Sequence, residues 1–438
     1  MSDKSSRRDF IQKSATVAAG AALATKFGTV AHAAGSEEIK VVLIGCGGRG
    51  TGAVGQIFSN QNKTKLVAVA DAFKDKAENS VRRLQKHAKG TKNSTVDVPS
   101  ERIFAGLDAY KKAIDSDCDL VVIATPPGFK PQQFEYAVKQ NKHIFCEKPM
   151  ASDAPGCRRV LAAVEQSKQK NLMVGIGLQR RHEGRYVDCI KAVQDGVIGD
   201  LTALRVYWNG GGIWYRGRSD GQTEMQFQCN NWYHFVWACG DQICEQHIHN
   251  LDVGCWAKGM YPIEANGMGG AAQRMDGTGK QSQIFDHTFV EYTFPDGTKM
   301  FSQGRHLRGA WTNVSEFAHG TKGVSPCHSW YQPTGKDRVS IGKGGGGHQQ
   351  EQHDLINALV AGNIYNEGEY GAKSTFTAVL GREACYSGKV VKWDKLLAEG
   401  HDYCPGIDTW TENSPAPAKK DKDGKYMVAV PGKWNPYA

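Results

Sequence analysis

Two domains of different texture are predicted: first an α/β domain on a doubly wound parallel sheet, then an α+β domain on an open, mainly antiparallel sheet. Three observations predict them. An apolar run, Val41-Val42-Leu43-Ile44, turns through Gly45-Cys46-Gly47-Gly48-Arg49-Gly50 and is followed by a second run, Leu66 to Ala70, that ends in Asp71. Short apolar runs then alternate with helix-length segments as far as Pro149, the pattern of parallel strands buried on both faces. From Thr202 onward apolar and polar residues alternate singly, and Pro295-Asp296-Gly297-Thr298 separates two such runs as a hairpin signal.

The glycine turn carries the most information. Gly45 permits a tight turn, Gly47 lets backbone N–H groups approach a pyrophosphate, and Gly50 lets the next helix sit close to the strand, with Gly48 and Arg49 completing the loop. The helix N-terminus adds unpaired donors and a positive dipole end. Asp71 lies 21 residues beyond Gly50, where a carboxylate accepts hydrogen bonds from the adenine-ribose hydroxyls of NAD. Glycine makes up 51 of the 438 residues, so the triplet alone says little; strand, turn, helix and distant acid together predict a Rossmann domain. The carboxylate repels a 2′-phosphate and favours NAD over NADP, with Arg49 and Lys74 close enough to blunt that preference.

In chain order, a helix is predicted over 74–89, a short strand at Ile103-Phe104, a helix over 107–114 and a buried strand over 119–124. The last stops at Thr125-Pro126-Pro127, whose prolines end it where the cofactor lies. A helix over 131–140 leads to a strand at 143–146, which ends in Glu147-Lys148-Pro149. Ligands of open α/β sheets bind at these carboxyl ends. A helix over 156–168, a strand over 172–175 and the alternating strands follow, with C-terminal helices over 350–360 and 374–387. The domains read from this pattern are 34–155 for the Rossmann domain, 156–400 for the second domain and 401–438 for a surface tail able to embrace a neighbouring subunit.

The segment 241–252 carries Glu245, His247, His249 and Asp252 ahead of an apolar helix that ends near Lys258. Read as one helix, it places Glu245 and His249 at i and i+4 on one face, a spacing in which a carboxylate orients an imidazole and raises its basicity. His247, His249 and Asp252 also fit a zinc or iron set. Coupled to the nucleotide turn and Lys148, the acid–base reading is preferred. Between 207 and 237 the chain is rich in aromatics, among them Trp208, Trp214, Tyr215 and Trp232, with Arg216 and Arg218 interleaved. Flat rings beside polar groups suit the faces of sugars, which makes Trp214 a candidate substrate contact. A packed inter-domain core explains the same composition equally well.

The composition, 40% hydrophobic and 23% charged, is that of a globular protein with two domains of ordinary size. No apolar run approaches the roughly eighteen residues of a membrane span. The net charge is +9, of which the first 33 residues contribute five Lys/Arg against two Asp, and no dense basic tract suggests nucleic acid. Those residues carry Arg7-Arg8, a weakly apolar Ala/Gly-rich stretch and Ala31-His32-Ala33, in the order of a twin-arginine signal and its cleavage site. They predict export of the folded protein to the periplasm or beyond. The twelve cysteines are scattered without a CxxC pair, so metal-ligand spacing is absent and no disulfide pairing is specified.

With these residues in place, the chain resembles the Gfo/Idh/MocA family, the group of glucose–fructose oxidoreductase and inositol dehydrogenase. The resemblance rests on the glycine turn, Ala124-Thr125-Pro126-Pro127, the stretch from Lys142 through Glu147-Lys148-Pro149, Gly175-Ile176-Gly177-Leu178-Gln179-Arg180-Arg181, Gly196-Val197-Ile198-Gly199 and the segment from Glu245 to Asp252. It implies an NAD(P)-dependent oxidoreductase acting on a secondary hydroxyl of a sugar, glycoside or cyclitol, assembled as a dimer or tetramer. Thr125, Pro126, Glu147 and Lys148 would lie on the cofactor side. His249, oriented by Glu245, would take the hydroxyl proton, while Lys148 steadies the alkoxide. Arg181, Asp252 and His247 would support the substrate side. Lys130 stands where a histidine is common in the family and His247 where a glycine is, and the Lys148-Pro149 peptide is one that is often cis. With export, a retained cofactor is implied, used for coupled oxidation and reduction or for a redox-neutral glycoside cleavage through a keto sugar, as in some relatives.

Overall fold

A computed structural model describes residues 38–273 and 282–437, so the twin-arginine segment lies outside the described residues. The first sheet is parallel throughout. Its strands are β1 (Ile39–Ile44), β2 (Thr64–Asp71), β3 (Ser94–Val96), β4 (Ile103–Ala105), β5 (Leu120–Ile123), β6 (His143–Cys146) and β7 (Val174–Ile176). They lie in the order β3-β2-β1-β5-β6-β7, with β4 also on β2. The order reverses between β1 and β5, so the two chains leaving those strands diverge and open a crevice at their carboxyl ends. The sheet reaches β7, and the Rossmann domain therefore runs past residue 155, where the sequence pattern placed its end.

The period of two along β1 assigns its side chains to two cores. Val41 and Leu43 join one apolar cluster, Val42 and Ile44 another on the opposite face. The helix Gly48–Phe58 covers the first face and buries Gly50, Ala53, Val54, Ile57 and Phe58, a 3.6-residue stripe. Leu355, Ile356 and Leu359 from the helix Gly347–Ala361 complete that cluster, so the C-terminal part of the chain folds back onto the first domain. Each such side chain contributes about 1.5–3 kcal/mol on burial.

The second sheet comprises β8 (Leu201–Gly210), β9 (Glu264–Gly270), β10 (His287–Thr293), β11 (Lys299–His306), β12 (Asn313–Gly320), β13 (Gly323–Ser325), β14 (Trp330–Pro333), β15 (Val339–Ser340) and β16 (Val391–Lys392). Its order is β15-β14-β13-β12-β8-β11-β10-β9-β16, antiparallel except for the β8–β11 pair. β10 and β11 form the predicted hairpin, closed by Phe294 N–H to Thr298 O at 2.9 Å, with Gly297 at φ +84° where a side chain would strain the turn. One face of the sheet, including Leu204, Val206, Val290 and Met300, is buried. It packs in one core with the helices Ile248–Lys258 and Gly368–Ser387.

The helix Gly368–Ser387 joins the two domains. Thr375 Oγ1 accepts from Met150 N–H at 3.1 Å, just past the end of β6, and Ser374 Oγ donates to Asp252 Oδ1 at 2.7 Å. The residues that follow β6 are thereby held in register with the helix that carries His249. In the tail beyond residue 400, Ile407, Ala416, Ala418 and Tyr426 pack with Phe129, Phe227 and Trp237 of their own chain. All twelve cysteines are buried free thiols, and no described helix is long and apolar enough to cross a membrane.

Candidate active site

At the crevice between β1 and β5 the glycine turn does what its spacing predicts. Gly45 sits at φ +92°, and a Cβ there would stand 2.6 Å from the Ala124 carbonyl carbon; a Cβ at Gly50 would stand 2.1 Å from Gly45 O. Gly47 and Gly48 face open space. Gly47 caps the helix Gly48–Phe58 without a side-chain hydrogen bond, which leaves the donors of the first turn for a ligand. A cavity of about 310 Å³ lies above the turn, lined by Gly45, Gly47, Gly48, Asp71, Thr125 and Pro126, and also by Trp214, Arg216 and Trp232. Asp71 is held there by Cys46 N–H at 2.8 Å and Phe73 N–H at 2.9 Å, and burial raises its carboxyl above the usual range despite those bonds. Open glycines, uncapped helix donors and a positioned acid at the far end suit a dinucleotide. Gly50 does not face the cavity; it serves packing.

Arg49 lines the cavity, but its guanidinium is engaged elsewhere. Nε pairs with Glu147, Nη2 with Glu351 Oε1 at 2.6 Å, and Nη1 donates to Gln56 Oε1 at 2.8 Å. The glycine turn is thus tied to the end of β6 and to the helix Gly347–Ala361. Burial alone would raise the Glu147 carboxyl; Arg49, with Lys148 and Lys130, overrides it and leaves the group below its ordinary value. Glu147 is therefore Arg49's partner, and it does not line the cavity as a cofactor contact. A Cβ at Gly177 would meet Glu147 Oε2 at 2.5 Å, which explains the glycine there.

Lys148 follows directly. Its Nζ donates to the Glu245 carbonyl at 2.5 Å and to Glu245 Oε1 at 3.1 Å. Its own carbonyl and that of Pro149, the residue joined to it by a cis peptide, accept from Lys130 Nζ, each at 3.0 Å. Lys130 is buried and its ammonium is lowered by desolvation. Its role is to hold the Lys148 turn from beneath, a function no local sequence signal announces.

The helix expected to carry both Glu245 and His249 is broken. Gln242–Glu245 is one short helix and Ile248–Lys258 another, with Gln246 and His247 between them. Glu245 faces Lys148 and does not orient His249, whose buried Nδ1 has no hydrogen-bond partner among the described residues. The His249 ring stacks on Trp208 at 6.0 Å between centroids and 29° between planes. Burial keeps it neutral, reinforced by the charges of Lys148, Arg180, His348 and Arg49, and its pKa falls well below the usual histidine value.

Residues 39–176 match the family described as oxidoreductase, NAD-binding Rossmann fold, Gfo/Idh/MocA. The matched residues run from the start of β1 to the end of β7. Among curated relatives, inositol 2-dehydrogenase of Rhizobium meliloti (strain 1021) is 34% identical over 161 residues, which are 36% of this chain and 42% of the relative. A glycosyl hydrolase family 109 protein of Solibacter usitatus (strain Ellin6076) is 27% identical over 205 residues, 46% of this chain and 45% of the relative. The chain thus spans less than half the length of the curated relatives it matches. The crystal structure of scyllo-inositol dehydrogenase from Lactobacillus casei, with bound NAD(H) and scyllo-inositol, shares the fold over 82% of this chain and 99% of that one, with a TM-score of 0.60 and 19% identity.

Several expected substrate contacts lie elsewhere. His247 is fully buried, its Nε2 2.7 Å from Ser302 Oγ, because the break before the Ile248–Lys258 helix turns it into the core. Arg181 and Asp252 bind each other through three contacts of 2.8–3.1 Å, with the guanidinium over Tyr370 at 4.0 Å, so they form a packed ion pair. Trp214 lines the nucleotide cavity. Among the described residues no group of three His, Cys, Asp or Glu is placed to hold a metal ion, and the set His247, His249 and Asp252 does not converge. Sequence reading missed Lys76, which lines the cavity in place of the expected Lys74, and Arg216, which crosses to it from the second domain. Five residues past Asp71, in the first turn of its helix, Lys76 was within reach of a local argument; Arg216 was not.

Proposed function

We propose that this is an exported NAD(P)-dependent oxidoreductase, with NAD favoured, that acts on a secondary hydroxyl of a sugar, glycoside or cyclitol. The observation that carries the reading is a buried, neutral His249 near enough to Lys148 and Arg49 for their charges to act on it, with Lys148 two residues past the carboxyl end of β6. The inositol dehydrogenase relative and the scyllo-inositol-bound fold neighbour support the substrate class. A bound nicotinamide would supply the hydride acceptor for the carbinol carbon. This chain's residues supply the rest. His249, held neutral by burial, takes the hydroxyl proton, and Lys148 donates to the oxygen as charge grows on it. Glu245 and Lys130 keep the ammonium in place, and Trp208 offers a flat face beneath the imidazole.

A second reading is a redox-neutral glycoside cleavage through a keto sugar, favoured by the relative named as a family 109 glycosyl hydrolase. The proposed assembly is a homo-oligomer formed through the open face of the second sheet. By register, Met268, Phe289, Phe301, Phe317 and Tyr207 lie on that face, opposite the buried one.

The test is to denature purified protein, identify any released nucleotide by mass spectrometry, and follow 340 nm absorbance against cyclitols, hexoses and glycosides. Nucleotide binding together with substrate-dependent reduction is expected; glycoside turnover without net reduction would select the second reading. Absence of any nicotinamide nucleotide, with no binding of added NAD or NADP, ends both.

A further inference from the structure

The cavity above Asp71 has two walls of different origin. Ala72, Phe73 and Gly106 belong to the Rossmann domain, whereas Trp214, Arg216, Cys229 and Trp232 come from the connection that follows β8. The second wall is held in place by its own bonds. The fully buried Asn231 brackets the Arg216 backbone, accepting from Arg216 N–H at 2.8 Å and donating to Arg216 O at 3.0 Å. His234 Nε2 lies 2.7 Å from Trp214 O, the Trp214 and Trp232 rings meet at 5.9 Å, and the Arg216 guanidinium covers the Trp214 face at 4.1 Å. From the Rossmann side Lys76 Nζ reaches across to Asn230 Oδ1 at 3.3 Å. The C-terminal tail backs the wall: Gln228 exchanges hydrogen bonds of 2.8 and 3.2 Å with the Ala418 backbone and accepts from Trp237 Nε1 at 2.9 Å.

We propose that Trp214, Arg216 and Trp232 form a clamp over the adenosine half of the bound dinucleotide, latched by Lys76 against Asn230, so that the nucleotide stays in place between turnovers. The inference rests on the NAD reading above and names what retains the cofactor. A dinucleotide seated on the glycine turn and Asp71 would run its adenosine half between the two walls, beside Lys76 and Arg216, two cations from opposite domains. Leaving requires the latch to open and both aromatic contacts to break together, which slows dissociation more than association. Burial lowers both Lys76 and Arg216, and an anionic ligand would compensate that desolvation.

The experiment uses the full chain. Protein is dialysed exhaustively, its nucleotide content is counted after denaturation, and release is timed by chasing isotopically labelled NAD with excess unlabelled NAD. Wild type is expected to keep close to one nucleotide per chain, and the Trp214→Ala/Arg216→Ala variant to release label at least tenfold faster with an unchanged circular dichroism spectrum. Should that variant fail to fold, Lys76→Met at the opposite wall carries the same expectation. Wild type that binds NAD but loses it within the mixing time, or a folded variant as slow as wild type, overturns the clamp and leaves the oxidoreductase reading intact. A chain that neither carries nor binds NAD or NADP overturns both.

Discussion

Lys148, at the end of the first domain's sixth strand, donates to the main-chain carbonyl of Glu245 at 2.5 Å and to its carboxylate at 3.1 Å. The ammonium of one domain is therefore positioned by the other, and two of its three donor directions are set before any substrate arrives. Removing the charge while keeping the stem, as in Lys148→Met, is expected to lower kcat by about 10²- to 10³-fold, the scale of losing one oxyanion donor. Glu245→Gln keeps the main-chain acceptor, so its loss is expected to be smaller, about tenfold. Steady-state kinetics at 340 nm, with nucleotide content measured in parallel, separates these outcomes from simple cofactor loss.

His249 is neutral well below the ordinary histidine range because it is buried on Trp208 among cations. A base must be unprotonated to act, so the acid limb of kcat/KM is expected below about pH 6.5, the unperturbed value. Trp208→Leu admits water to the ring and should move that limb upward. His249→Gln should lower kcat by about 10²- to 10⁴-fold, as for a lost general base. A pH–rate profile of each variant checks this.

His247 bears on stability rather than activity. Its pKa in the fold is pushed down to about 3, chiefly by burial, so between that value and about 6.5 the unfolded chain binds a proton that the folded chain does not. Stability from this group is complete above about pH 6.5 and is lost as pH falls toward 3, by up to about 3 kcal/mol at pH 4. His247→Gln is expected to flatten that part of the curve. Urea melts from pH 7 to pH 4 measure the slope.

Two glycines of the turn should respond differently to alanine. At Gly50 a Cβ meets Gly45 O at 2.1 Å, and the helix must shift, at about 1–3 kcal/mol. At Gly48 the same methyl group meets nothing within 4 Å but enters the dinucleotide cavity. Gly50→Ala is expected to lower Tm and nucleotide content together, and Gly48→Ala to lower nucleotide content at unchanged Tm. Paired thermal melts and nucleotide assays of the two proteins decide it.

Much of this site was legible wherever the governing interaction is local. The turn from Gly45 to Gly50, the acid at Asp71 and the alternating strands of β10 and β11 each follow from steric or periodic rules that operate within a few residues. The Glu245–His249 pairing failed because an i, i+4 argument assumes an unbroken helix. Gly240 and Asp241 both take positive φ, a short helix ends at Glu245, and the next begins only at Ile248. A break of two residues rotates the following face, which sends His247 into the core toward Ser302 and frees Glu245 to meet Lys148. Arg181 and Asp252 were drawn to the site by their position in a motif, but they are 71 residues apart in sequence and satisfy each other instead.

By itself the amino-acid sequence determined the two sheets, the glycine cradle with its distant carboxylate, and the presence of Lys148 and His249. Those depend on backbone geometry and on the period of apolar residues, which neighbours along the chain impose. Only the tertiary structure decided which groups meet: Lys148 with Glu245, Arg49 with Glu147 and Glu351, and Arg216 with the cleft above Asp71. Such pairs come from segments roughly 100 to 300 residues apart, and what joins them is the burial of charges that must find opposite partners once two domains close over them.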